Sequence, residues 1–183
     1  MAEPTPRQAG FAPDDPKPCG ECSLCCKLLV FRGMEKPANV WCSHVVKGKG
    51  CGIHAERPLG CRDFFCLWSF ATPLGENWRP DRCKFVMRPG PTEEVVIDVD
   101  PGFPNAWKEE PFYSQIKTWS VRRLPPHRMV IVRSAGRLAV VFPEGEIDLG
   151  PERPYDPISS GYVLRKGKQT PYAHYGVADA APE

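Results

Sequence analysis

The sequence lacks any run approaching the ~18 consecutive apolar residues that a membrane-crossing helix requires, so no bilayer-spanning segment is expected. Residues 1–18 are rich in Pro and Asp and hold no apolar core of the kind a secretion signal needs. A cytoplasmic protein with no membrane partner is the expectation. Charge of one sign is also scarce: the formal net charge is +2. Residues 1–90 carry 13 Lys/Arg against 9 Asp/Glu, and residues 91–183 carry 11 against 13. Such a balance does not advertise a polyanion-binding surface, and a nucleic-acid partner is not expected. Several catalytic signatures are missing as well. There is no glycine-rich phosphate loop, no dinucleotide fingerprint, no His-Glu-x-x-His and no Gly-x-Ser-x-Gly. The carboxylates Asp98 and Asp100 alternate along an apolar run and are read as facing water. Five tryptophans are read as core, since few cations are interleaved with them.

Proline and glycine are abundant. With 22 and 16 copies they make up about a fifth of the chain, which argues against a helical bundle or coiled coil. Hydrophobic and charged fractions of 42% and 25% are ordinary, so wholesale disorder is not expected either.

Cysteine is the informative residue. All nine copies lie between Cys19 and Cys83. An odd count without an export signal fits a secreted disulfide framework poorly, whereas clustered thiols in a reducing compartment point to metal binding or redox chemistry. The order is Cys19-x2-Cys22-x2-Cys25-Cys26, then Cys42, Cys51, Cys61 and Cys66, with Cys83 apart. Two intervening residues let a tight turn aim both sulfurs at one ion, as in zinc knuckles. Three cysteines at that spacing also resemble the loops that wrap a [4Fe–4S] cluster, with a fourth thiolate from elsewhere. The later cysteines supply that remote ligand or build a second site; eight thiolates suffice for two tetrahedral zinc sites. Adjacent cysteines point in different directions, so Cys25 and Cys26 are not expected to serve one ion together. Cys83, and in part Cys25 or Cys26, is read as a buried small hydrophobe. A thioredoxin-like redox motif is disfavoured, because no strand precedes Cys19. His44 and His54 stand close behind Cys42 and Cys51 and can substitute for a thiolate, though packing beside the site is the plainer reading. Arg57, Arg62 and Lys27 lie among the cysteines, where cations would offset a thiolate centre's charge. His127 and His174 have no ligand context.

Four regions are expected: a flexible leader at 1–18, a cysteine-rich metal-binding domain at 19–84, a small α+β extension of the same globule at 85–150, and an irregular arm and tail at 151–183. Short helices are expected at 23–30 and from about residue 57 through Cys61, Phe64, Phe65 and Trp68. Gly60 weakens the second helix. Strands are expected at 95–99, 129–132, 137–142 and 146–149, with a helix at 111–122 that buries Phe112, Ile116 and Trp119. The fold class is α+β: an irregular cysteine-rich region with short helices, packed on a small antiparallel sheet with one helix.

The cysteine run, together with Trp41-Cys42-x-His44, Gly50-Cys51-x-Ile53-His54 and Arg57-Pro58-x2-Cys61-Arg62-x-Phe64, resembles the YkgJ-type cysteine-cluster family over roughly residues 19–70. That family is described as a zinc- or iron-chelating domain and also as iron–sulfur-cluster-containing. The resemblance places the family's eight cysteines on Cys19, Cys22, Cys25, Cys26, Cys42, Cys51, Cys61 and Cys66, leaving Cys83 outside. Residues 85–150 look like an extension of some bacterial members. Flagellin lysine methylases, the best-known relatives, are much longer; this chain shows no methyl-donor site, and methylation is not carried over. The implied function is metal binding through thiolates, holding an iron–sulfur cluster (4Fe–4S) or zinc, with a protein or redox partner unspecified. Two alternatives stand beside it. One is a zinc-stapled, non-enzymatic module that binds protein or nucleic acid; the other is an enzyme, a cluster-dependent redox protein or transferase.

Overall fold

The computed structural model describes residues 16–71, 73–91, 94–122 and 129–177. The leader expected at 1–18, the end of the tail and His127 therefore lie largely or wholly outside the described residues. The chain divides into two compact units, Met1–Arg88 and Pro89–Glu183. Five α-helices and three sheets among the described residues make the fold α+β, as expected. None of these helices is long and apolar enough to cross a membrane.

The first unit is built from very short elements: α1 (Leu24–Leu28), β1 (Val45–Val46), β2 (Gly50–Cys51), α2 (Leu59–Arg62), α3 (Leu67–Phe70), α4 (Pro80–Cys83) and the strand β3 (Phe85–Pro89) in which the division falls. Helix α1 is shorter than the expected 23–30 and is held by one i, i+4 pair, Leu24 and Leu28, both buried. These leucines join Leu29, Phe31 and Val86 in a small core, against which Cys25, Met34, Cys61 and Phe64 pack. The single helix expected from residue 57 to Trp68 is broken into α2 and α3. Phe64 turns in to meet Phe31 edge-on at 5.3 Å, while its neighbour Phe65 stacks on Phe70 at 3.8 Å. On an unbroken helix Phe65 and Phe70, five residues apart, would leave about 140° apart and could not stack. Helix α4 opens on Pro80, whose fixed φ suits a first turn, and closes on Lys84 at φ 66°.

The second unit carries β4 (Val95–Val99), α5 (Phe112–Arg122), β5 (Val130–Ser134), β6 (Arg137–Phe142), β7 (Gly145–Pro151), β8 (Ile158–Arg165) and β9 (Lys168–Tyr175). The five-stranded sheet has the order β3-β4-β5-β6-β7. Strand β4 is buried at all five positions, which explains its continuous apolar run in place of an alternating one. The expectation of an antiparallel sheet needs correction: β4 and β5 pair in parallel, Val95 opposite Val130, so the sheet is mixed. The helix α5 between them supplies the long connection that a parallel pair requires. Phe112 and Ile116 on α5 are buried and Trp119 half-buried. Ala135 and Gly136, both at positive φ, make the two-residue turn between β5 and β6.

The irregular arm expected at 151–183 is also corrected. Residues 158–175 form a regular antiparallel hairpin, Ile158 opposite Tyr175 through Arg165 opposite Lys168. Its turn, Lys166 at φ 49° and Gly167 at φ 75°, repeats the geometry of the Ala135-Gly136 turn. Ile158, Tyr162 and Ala173 of the hairpin pack against Ile131, Leu138, Val140 and Phe142, one face of β5 and β6. Asp98 and Asp100, read as facing water, are both buried. Asp98 is matched by Arg133 of the neighbouring strand at 2.9 Å, and Asp100 accepts the Gly102 amide at 2.9 Å. Trp68, Trp78 and Trp107 are core residues as expected, but Trp41 is exposed.

Candidate metal centre

Cys22 closes a turn on Cys19, its amide donating to the Cys19 carbonyl at 3.0 Å, with Gly20 at φ 54° between them. Cys25 and Cys26 follow on α1. Cys42 arrives from a long loop and is tied to that helix by its amide, which donates to the Cys26 carbonyl at 3.1 Å. Cys51 sits on β2 opposite Val45. Cys61 is on α2, and Cys66 stands at the entry to α3. The break between α2 and α3 matters here. Five residues along one helix would set Cys61 and Cys66 about 140° apart, whereas the break lets both face the same space.

Two glycines allow these segments to meet. A Cβ on Gly50, at φ 87°, would stand 2.5 Å from the Gly20 carbonyl oxygen, so only glycine lets the Cys51 ribbon touch the Cys19–Cys22 turn. A Cβ on Gly60 would lie 2.6 Å from the Arg32 carbonyl oxygen and 2.8 Å from its nitrogen. Gly60, read as a weakness of the helix, is the close contact that docks α2.

The result is a cavity of about 260 Å³, roomy for several atoms by the usual measure of a water site, and Cys19, Cys22, Cys25, Cys26, Cys42, Cys51, Cys61 and Cys66 all line it. Cys83 does not. It is buried at 2% exposure, and its thiol donates to the carbonyls of Phe85 at 3.3 Å and Trp78 at 3.4 Å. His44 and His54 are exposed residues at the cavity, and Arg57 and Arg62 also line it. Lys27 lies elsewhere, its ammonium 5.7 Å from the centre of the Trp41 ring. Lys17 and Lys36 are lining cations that the sequence reading missed. Lys17 stands only two residues before Cys19, so proximity was a usable signal; Lys36 is brought in by the chain's return. Lys17 is part of a strap: its amide donates to the Ser69 carbonyl at 2.9 Å and its ammonium to the Ala71 carbonyl at 3.1 Å.

The thiols differ in their protonation. Burial pushes Cys22 up to about 12, although the Leu24 and Asp81 amides face its sulfur and oppose the shift. Burial likewise raises Cys66, opposed by the amides of Ser69 and Trp68, and raises Cys19, opposed by Arg57. Cys61 is raised by burial and then by the neighbouring sulfurs of Cys26, Cys42 and Cys51. Cys25 lies well above its ordinary value because its thiol donates to Cys26, with burial adding to the effect. The same hydrogen bond lowers Cys26 to about 7, against burial and helped by Lys36 and Arg57. Burial and Arg57 both lower His54, keeping its ring in the neutral form that can ligate.

Thiols are soft donors of the type that zinc and iron–sulfur clusters take, and cations stand among them around the cavity. The arrangement is nonetheless open: among the described residues no group of three or more His, Cys, Asp or Glu is set to hold a metal ion. The thiols line the cavity without converging on a point, and loading would need side-chain movement. No family model matches this chain, and neither a curated protein nor a solved structure matches it.

Proposed function

We propose that this is a metal-binding protein whose clustered cysteine thiolates hold an iron–sulfur cluster or zinc. One observation carries the reading: the eight clustered cysteines that the resemblance implies as ligands all line one cavity, while the ninth, Cys83, is turned away into the core. Cys25 and Cys61 also pack on the small apolar core, but eight thiols around one cavity exceed what apolar packing uses, where single buried cysteines serve as Cys83 does. Lys17, Lys36, Arg57 and Arg62 around the cavity offset the negative charge that thiolates bring to a bound metal. A bound cluster would supply electron transfer or substrate activation, and bound zinc would cross-link the unit. The chain's own contribution is to gather the donors, bring cations to them and place the neutral His54 at the rim.

The spacing of Cys19, Cys22 and Cys25 favours the cluster. The shortness of every element in the first unit favours zinc as a staple, with its surface then available to a protein partner. The two metals separate cleanly by spectrum, since zinc is d¹⁰ and colourless whereas a cluster absorbs in the visible and bleaches on reduction. In Cys22→Ala the metal carried by anaerobically purified protein should fall. Unchanged metal content would remove Cys22 from the donor set.

A further inference from the structure

Pro16, Lys17 and Pro18 line the thiol cavity and run directly into Cys19, the first of its cysteines. Both prolines fix their own φ, and Pro18 also disfavours helical backbone at Lys17, so this short segment is stiff. Neither proline has an amide N–H, which leaves that of Lys17 as the segment's sole backbone donor. The Lys17 amide donates to the Ser69 carbonyl at 2.9 Å, and the Ser69 hydroxyl returns a bond to the Lys17 carbonyl. Beyond this reciprocal pair, the Lys17 ammonium donates to the carbonyls of Ala71 and Leu74 and stands 5.1 Å from the centre of the Trp68 ring. All four partners lie on α3 or just after it, and Cys66 stands at the entry to that helix. The segment therefore spans the cavity from Cys19 on one wall to α3 on the other. Pro16 and Pro18 are exposed as well as lining the cavity, so this part of the wall is one chain thick. Its two ends are held differently. At Cys19 the chain enters the turn closed by the Cys22 amide, with Gly50 packed tightly on Gly20. The α3 end rests on the hydrogen bonds of Lys17, and water replaces such bonds at small net cost for each.

We propose that residues 16–18 are a gate over the thiol cavity: it opens when Lys17 releases Ser69, Ala71 and Leu74, and the metal enters past it. The inference rests on the metal-binding reading above for what passes the gate, and on the Lys17 contacts for the gate itself.

Iodoacetamide is the probe for the gate and zinc the probe for what passes it, each applied to the reduced, metal-free full chain. Lys17→Met keeps an apolar stem on the Trp68 ring and removes the ammonium's bonds; Ser69→Ala removes the hydroxyl's bond. Each should raise the alkylation rates of Cys19 and Cys66, mapped by mass, by about fivefold to tenfold, the shift in open population that one ordinary lost hydrogen bond brings. Zinc uptake, followed against a chromophoric chelator, should quicken by the same factor with the final content unchanged. Cys83, buried away from the cavity, should stay unlabelled and so reports that the chain is folded. Rates equal to those of the unsubstituted chain in both variants, or acceleration that reaches Cys83 equally in both, would overturn the gate. Faster alkylation with zinc uptake at the unsubstituted rate would overturn entry by this route. Chains that alkylate as expected but take up no zinc keep the gate and overturn the metal reading. A second measurement needs no variant: amide exchange followed by NMR. The Lys17 amide should exchange well ahead of the Leu29 amide, which belongs to the same unit's apolar core and donates to the Cys25 carbonyl at 3.1 Å. Exchange of the two at one rate would mean that the strap leaves only when the unit unfolds, and the gate would fall.

Discussion

Cys26 and Cys83 have contrasting thiol environments, one drawn down to about 7 by the Cys25 thiol and nearby cations, the other pushed up to about 12 by burial. Cys83→Ala should leave metal content unchanged and cost about 1–2 kcal/mol through lost hydrogen bonds and a small void. Urea midpoints and metal analysis on the same sample check both halves of that expectation. Gly60→Ala drives a Cβ into the Arg32 backbone, which cannot yield as a side-chain tip would. It should destabilise by about 1–3 kcal/mol, as overpacking does, and reduce metal loading by displacing Cys61. A wild-type urea midpoint would contradict the close contact. At this scale the thiol pattern was legible, because two-residue spacing carries its own geometry. Asp81 beside Cys22 and Lys36 beside Cys26 were not, since only the folded chain brings them near.

The elements of the second unit were legible where periodicity was strong. β4, β5 and β6 advertise themselves through Val and Ile runs, and α5 through Phe112 and Ile116. The parallel pairing of β4 with β5 was not, because strand direction is set by the connection and not by the strand's composition. The β8–β9 hairpin was missed because Ser, Gly and Pro break its alternation, although Lys166-Gly167 is a turn signal of the same kind as Ala135-Gly136. Phe142 packs edge-on against Tyr162 of this hairpin at 5.6 Å. Phe142→Ala should cost about 3–5 kcal/mol, and an unchanged melting curve would show that the hairpin does not cover this face. Between elements, Glu146 accepts from Lys108 and from the Tyr113 hydroxyl. Burial opposes its charge, yet these donors hold its carboxyl below the usual range. A depressed carboxyl contributes stability above its unfolded value and loses it as pH falls through the folded one. Glu146→Gln should therefore cost about 1 kcal/mol near neutral pH and nothing in strong acid. A cost independent of pH would assign the contact no ionic part.

Across the whole molecule the two units draw on different sources of stability. Residues from Pro89 onward gather a sheet with apolar side chains on its strands and a hairpin packed on one face. The unit up to Arg88 has a small apolar cluster and eight thiols around a cavity, the balance expected where metal supplements burial. The most direct test of metal binding is to purify the chain anaerobically and take metal content and an absorption spectrum on one sample. Stoichiometric iron with a visible band that bleaches on reduction, or stoichiometric zinc without colour, is the expected result. A folded chain with neither iron nor zinc, and unable to take up either when reduced, would contradict it.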